Sequence, residues 1–189
     1  VGVSTGKFTE ADNDYLGDGA NDVWCDGNFI YLANGSKGLH SYSVDGTGIF
    51  EYKHYADPTP GDAKGVWGDG TYLYLANGIY GLSSYSINID GNFELKNTHD
   101  PDNISAYDVW GDGNFIYLAK GSGGLHSYSV NPSTGVLTLI DSVTSSGGEA
   151  REVWGDGEYI YCANGTKGLE RYSVDAAGKL TFIDSHDPG

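Results

Sequence analysis

Cations are scarce in this chain: 10 lysines and arginines stand against 26 aspartates and glutamates in 189 residues, a formal charge of −16. Such a balance repels phosphate backbones and anionic headgroups, which argues against nucleic acid as a partner and against attraction to a membrane surface. Membrane insertion is argued against separately, because no stretch reaches the roughly 18 apolar residues of a membrane span. Helical periodicity is missing as well. No segment places apolar residues at i, i+3, i+4 and i+7 over three turns, so helix is nearly excluded. Cysteine is limited to Cys25 and Cys162, which occupy unlike places in the sequence pattern. Two such residues form no disulfide framework and decide no redox compartment. Methionine is absent even at position 1, so the chain is expected to have been trimmed or excised from something longer.

Tryptophan is present four times, at Trp24, Trp67, Trp110 and Trp154, with spacings of 43, 43 and 44. Each lies in one phrase: Asp22-Val-Trp-Cys-Asp-Gly27, Gly65-Val-Trp-Gly-Asp-Gly70, Asp108-Val-Trp-Gly-Asp-Gly113 and Glu152-Val-Trp-Gly-Asp-Gly157. A period of this length marks one supersecondary unit that must stack on copies of itself to bury its apolar faces. Each unit reads as four strands. The first runs into the Trp and ends on an Asp-Gly turn, a strong hairpin signal. The second is almost wholly apolar, as in Phe115-Ile-Tyr-Leu-Ala119, which implies burial on both faces. The third runs from Leu39, Leu82, Leu125 or Leu169 through a Tyr, and the fourth follows a Gly, as in Ile49-Phe-Glu-Tyr52. Thirty glycines and an aromatic content of 13% suit short strands and tight turns. The expected fold is all-β, a β-propeller of four-stranded antiparallel blades of about 43 residues. The repeats fall at approximately 14–55, 56–98, 99–142 and 143–185.

Residues 1–13 look like one further fourth strand, because Gly6-Lys-Phe-Thr9 parallels Gly178-Lys-Leu-Thr181. The spare strand has three explanations: excision from a longer array, pairing with a neighbouring molecule, or a free end. His186-Asp-Pro188 repeats His99-Asp-Pro101, which leads into the next blade, so further blades are expected after it.

The phrase Ala106-x-Asp-Val-x-Gly-x-Gly-Asn-x-Ile-Tyr-Leu-Ala-x-Gly-Ser-Gly-Gly-Leu125 resembles the LVIVD repeat of bacterial and archaeal propellers. Ser129-Val-Asn-Pro-Ser-Thr-Gly135-Val-Leu-Thr is similar to a segment of lactonase-like propellers. The third strand departs from the eponymous motif, with Leu-His-Ser-Tyr-Ser-Val in its place. The resemblance implies a surface or secreted propeller and places no catalytic residue. It also implies closure with more than four blades, which two chains could supply by sharing an eight-bladed ring.

Candidate sites are few. Asp26, Asp69, Asp112 and Asp156 lie at one level and could recruit Ca²⁺, but the alternating carboxylate pattern of a calcium loop is missing and a turn role is the reading adopted. Asp22, Asp108 and Glu152, two residues before each Trp, are candidates to line a central channel, with Gly65 breaking the set. His40 and His126 share a position filled elsewhere by Ser83 and Glu170, so no imidazole ring forms. Asn34, Asn103 and Asn164 begin glycosylation sequons expected on exposed turns or connectors. No Gly-x-Ser-x-Gly elbow, phosphate loop or His-Glu-x-x-His is present, and no cofactor is expected.

The resulting expectation is a chain that is not an enzyme: a structural or interaction module of an extracellular, cell-surface or virion-associated protein. Its partners would be other proteins or copies of itself, joined through the surplus strand. The alternative is a lectin-like propeller binding carbohydrate or cations. Lactonase-type hydrolysis follows from resemblance alone, and the missing metal-ligand set counts against it.

Overall fold

The computed structural model describes residues 19–56, 61–144 and 147–187; the surplus strand expected at 1–13 lies outside them. Four antiparallel sheets follow one another in the sequence. Blade 1 holds β1 (Asp22–Cys25), β2 (Phe29–Ala33), β3 (Leu39–Val44) and β4 (Phe50–Ala56). Blade 2 holds β5 (Gly65–Gly68), β6 (Tyr72–Ala76), β7 (Leu82–Ile87) and β8 (Phe93–His99). Blade 3 holds β9 (Asp108–Gly111), β10 (Ile116–Ala119), β11 (Leu125–Val130) and β12 (Leu137–Val143). Blade 4 holds β13 (Glu152–Gly155), β14 (Ile160–Ala163), β15 (Leu169–Val174) and β16 (Leu180–His186). The inner strands β1, β5, β9 and β13 lie each against the next. This is the all-β propeller architecture that the period demands.

The Asp-Gly turns hold their shape through the aspartate. Asp69 Oδ1 accepts the backbone N–H groups of Thr71 and Tyr72, and Oδ2 accepts the Tyr74 hydroxyl at 2.7 Å. Asp26, Asp112 and Asp156 make the corresponding bonds to the tyrosine five residues on. The carboxylates at this level are therefore occupied as turn acceptors, and burial together with Asp69 raises the Tyr74 hydroxyl pKa.

Stacking of blades buries β6 completely, every residue from Tyr72 to Ala76. Trp24, Trp67 and Trp110 each lie over the glycine that follows the next Trp. A Cβ on Gly68, Gly111 or Gly155 would stand 2.6, 2.5 and 2.5 Å from the rings of Trp24, Trp67 and Trp110. Gly111→Ala is therefore expected to cost about 1–3 kcal/mol by overpacking. Gly46→Ala, in open space, should be neutral or slightly stabilising. Urea unfolding of both variants checks the contrast.

Three features depart from the sequence pattern. Each third strand meets its fourth through a register shift, between Ser41 and Tyr42 in blade 1, and the fourth strands run seven residues, longer than their apolar cores suggest. A short 3₁₀ turn, Gly165–Lys167, replaces the simple turn of blade 4. Asn34 and Asn164 are buried, at 6% and 1% exposure, where exposed turns were expected, while Asn103 is exposed. The turn backbone is at the surface but the Asn164 side chain points inward against Gly148.

Candidate functional site

The four inner strands begin around a central cleft of about 650 Å³. Its wall comes from two consecutive positions of the repeat. Three residues before each Trp stand Asn21, Lys64, Tyr107 and Arg151; two residues before stand Asp22, Gly65, Asp108 and Glu152. All of these except Gly65 line the cleft, joined by Trp154 and Leu169 of blade 4. The cleft thus combines three carboxylates, two cations and the rings of Tyr107, Trp154 and Tyr161.

The carboxylates also bind blades together. Asp22 Oδ2 accepts the N–H of Val66 at 2.8 Å, and Asp108 Oδ2 accepts that of Val153 at 2.9 Å. Gly65 is required where it stands: a Cβ there would lie 2.7 Å from Asp108 Cα, a backbone atom that cannot yield. Burial pushes the Asp108 carboxyl up to about 6, with the Asp22 and Glu152 charges adding to the rise against the two backbone N–H bonds. This sign is opposite to that of a salt-bridged carboxylate. The folded state holds a proton between the unfolded value of about 4 and the folded value, so this group's penalty is present above pH 6 and relieved as pH falls through it.

Two cations flank one aromatic ring. Arg151 Cζ lies 4.2 Å and Lys64 Nζ 5.6 Å from the centroid of Tyr107. Each also has an acidic partner on its own connector, Glu149 for Arg151 and Asp62 for Lys64. A ligand anion would compete with those carboxylates for positions already oriented by the ring.

Asp22, Asp108 and Glu152 were visible in the sequence as candidate channel residues; Lys64, Tyr107 and Arg151 were not singled out. Their signal was a variable position inside an otherwise constant phrase. Among the described residues no cluster of three or more His, Cys, Asp or Glu side chains is arranged to hold a metal ion.

Known proteins sharpen this picture. The LVIVD repeat matches residues 17–40, 60–82, 105–126 and 147–170, once at the head of each blade. No curated protein sequence matches the chain. Among solved structures, a Lactobacillus plantarum protein is similar at TM-score 0.76 and 18% identity, over 89% of this chain and 57% of that one. A provisionally assigned 6-phosphogluconolactonase of Bacteroides fragilis is similar at TM-score 0.73 and 19% identity, over 92% of this chain and 58% of that one. The periplasmic gluconolactonase of Pseudomonas aeruginosa follows at TM-score 0.57 and 16% identity, over 92% and 71%. The chain spans little more than half the length of the first two.

These neighbours overturn the expectation that the chain is not an enzyme. The fold carries proteins named as lactonases, and opening a lactone requires a base, a water and a charge-stabilising group, none of which leaves a nucleophile motif in a sequence. By its four repeats and its four stacked sheets, the chain belongs to the LVIVD-repeat propellers.

Proposed function

We propose that the central cleft binds a polyhydroxylated lactone or sugar acid and that the chain forms part of a lactone hydrolase. The observation that carries the reading is Asp108, a largely buried carboxyl with its pKa near 6, in a cleft that also holds Arg151 and Lys64. In this mechanism Asp108 takes a proton from water as the water oxygen adds to the lactone carbonyl carbon. Arg151 or Lys64 stabilises the resulting oxyanion. The ring C–O bond then breaks, the departing ring oxygen recovers the proton from Asp108, and the open hydroxy acid leaves. Acidic neighbours favour release of that anionic product.

The lactonase names of the structural neighbours support the substrate class, and the cleft volume accommodates one sugar ring. The test is hydrolysis of gluconolactone and its 6-phosphate ester in a pH-stat. A rate above the spontaneous one, saturating with substrate, is expected. A rate equal to the buffer blank for both compounds contradicts the proposal.

A further inference from the structure

We propose that two copies of this chain close head to tail into a single ring of eight blades, the outer face of blade 4 in each receiving the outer face of blade 1 in the other. The inference rests on the faces alone and is independent of the lactone reading.

The chain contains three internal blade junctions, and these define what each face requires. On the receiving side, Val66, Val109 and Val153 are 3, 3 and 4% exposed, whereas their counterpart on blade 1, Val23, is 59% exposed. On the donating side, Leu39, Leu82 and Leu125 are 0, 0 and 1% exposed, whereas Leu169 on blade 4 is 48% exposed. Trp154 is 59% exposed, while the other three indoles lie half-buried against the next blade. The same repeat positions are buried wherever a neighbour exists and bare wherever one does not. Burying apolar surface of this kind is favourable, and these patches are fragments of an interface already formed three times.

The two bare faces complement each other. At the internal junctions Phe29, Tyr72 and Phe115 press on Gly91, Gly135 and Gly178 of the next blade. Tyr159 of blade 4 and Gly48 of blade 1 keep that pair. Ser41, Ser84 and Ser127 donate to the carbonyls of the same three glycines, at 2.7, 2.6 and 2.7 Å. Blade 4 carries Arg171 instead, whose guanidinium has donors enough to reach the Gly48 carbonyl while bonded to Asp184 at 3.0 and 2.6 Å. The other departure is Cys25, which stands where the internal junctions have the glycine under the indole. The Trp154 ring must shift there, against a sulfur that makes favourable aromatic contacts.

A second copy is the occupant favoured by continuity. Unlike faces on one molecule form a closed ring when the rotation closes, and each bare face carries the repeat positions that the three internal junctions bury. The central cleft, walled on one side by Trp154 and Leu169 of the bare face, would be completed by the second chain.

Light scattering on the 189-residue chain tests the proposal. The expected mass is twice the 20.1 kDa of one chain, with the Cys25 thiol protected from an alkylating reagent. Trp154→Asp and Val23→Asp each alter a side chain already exposed in the single chain, so both should fold, as circular dichroism would show, and return the mass to one chain with Cys25 reactive. A mass of one chain throughout the micromolar range overturns the ring, whether Cys25 is free or covered by the chain's own residues. Open polymers of growing size, or a doubled mass that survives both substitutions, overturn it equally.

Discussion

Asp108→Asn is expected to lower kcat/KM for lactone opening by about 10²- to 10⁴-fold, the range contributed by a positioned general base. The wild-type rate should rise with pH through about 6, because the active form is the carboxylate and burial has moved the Asp108 carboxyl to that value. That limb should vanish in the variant. Part of the effect could come from structure, since both Asp108 oxygens accept backbone N–H groups, from Val109 at 2.8 Å and Val153 at 2.9 Å. An asparagine offers one acceptor oxygen, so one bond is lost at about 1 kcal/mol. Thermal unfolding of the variant separates the two contributions: a destabilised but active protein keeps its pH limb, and a protein without its base does not. An unchanged rate and an unchanged limb would remove Asp108 from the mechanism.

Lys120→Asn alone is expected to destabilise the fold by about 3 kcal/mol, the scale for breaking a buried ion pair, a fall in Tm of about 10 °C for a chain of this size. Lys120 is fully buried and bonds Asp100 at 2.7 Å and Asp102 at 2.5 Å. Partial burial works against the Asp102 carboxylate, yet the Lys120 ammonium and the Ile104 N–H hold it below the ordinary range. Asparagine is the residue of the other three repeats, Asn34, Asn77 and Asn164, so the substitution looks conservative. It is not. Asn77 and Asn164 fit only because Gly61 and Gly148 face them: a Cβ on those glycines would lie 2.2 and 2.1 Å from the amides. Blade 3 has Ile104 at that place. Lys120→Asn combined with Ile104→Gly should therefore recover a measurable part of the loss, leaving the cost of the unpaired aspartates. Equal Tm values for the single and double variants would contradict this account of the swap.

The architecture was legible because a propeller repeats its interface as well as its strands. Trp24, Trp67 and Trp110 recur because each covers the next blade, and the Asp-Gly turns recur because one aspartate serves two backbone donors and a tyrosine hydroxyl. The cleft was half legible. Asp22, Asp108 and Glu152 stand out by shared chemistry, but Lys64, Tyr107 and Arg151 share only a position, and their proximity depends on how the blades converge. The inward turn of Asn164 was hidden for a related reason. A sequon in a turn reports the backbone's place and not the side chain's direction, which for Asn164 is set by Gly148 on the connector into the same blade. The β-bulge beside Tyr42 leaves no local mark, since a register shift belongs to a strand pair.

Native-state hydrogen exchange on the Trp154→Asp variant, read amide by amide, tests the central claim that each blade is held by its neighbours. The central strands β6 and β10, in blades flanked on both sides, should exchange most slowly. Those of β2 and β14, each in a blade with one neighbour, should exchange measurably faster. Equal protection of all four second strands would mean that each sheet is stable by itself, and the reading of the chain as mutually supporting blades would fail.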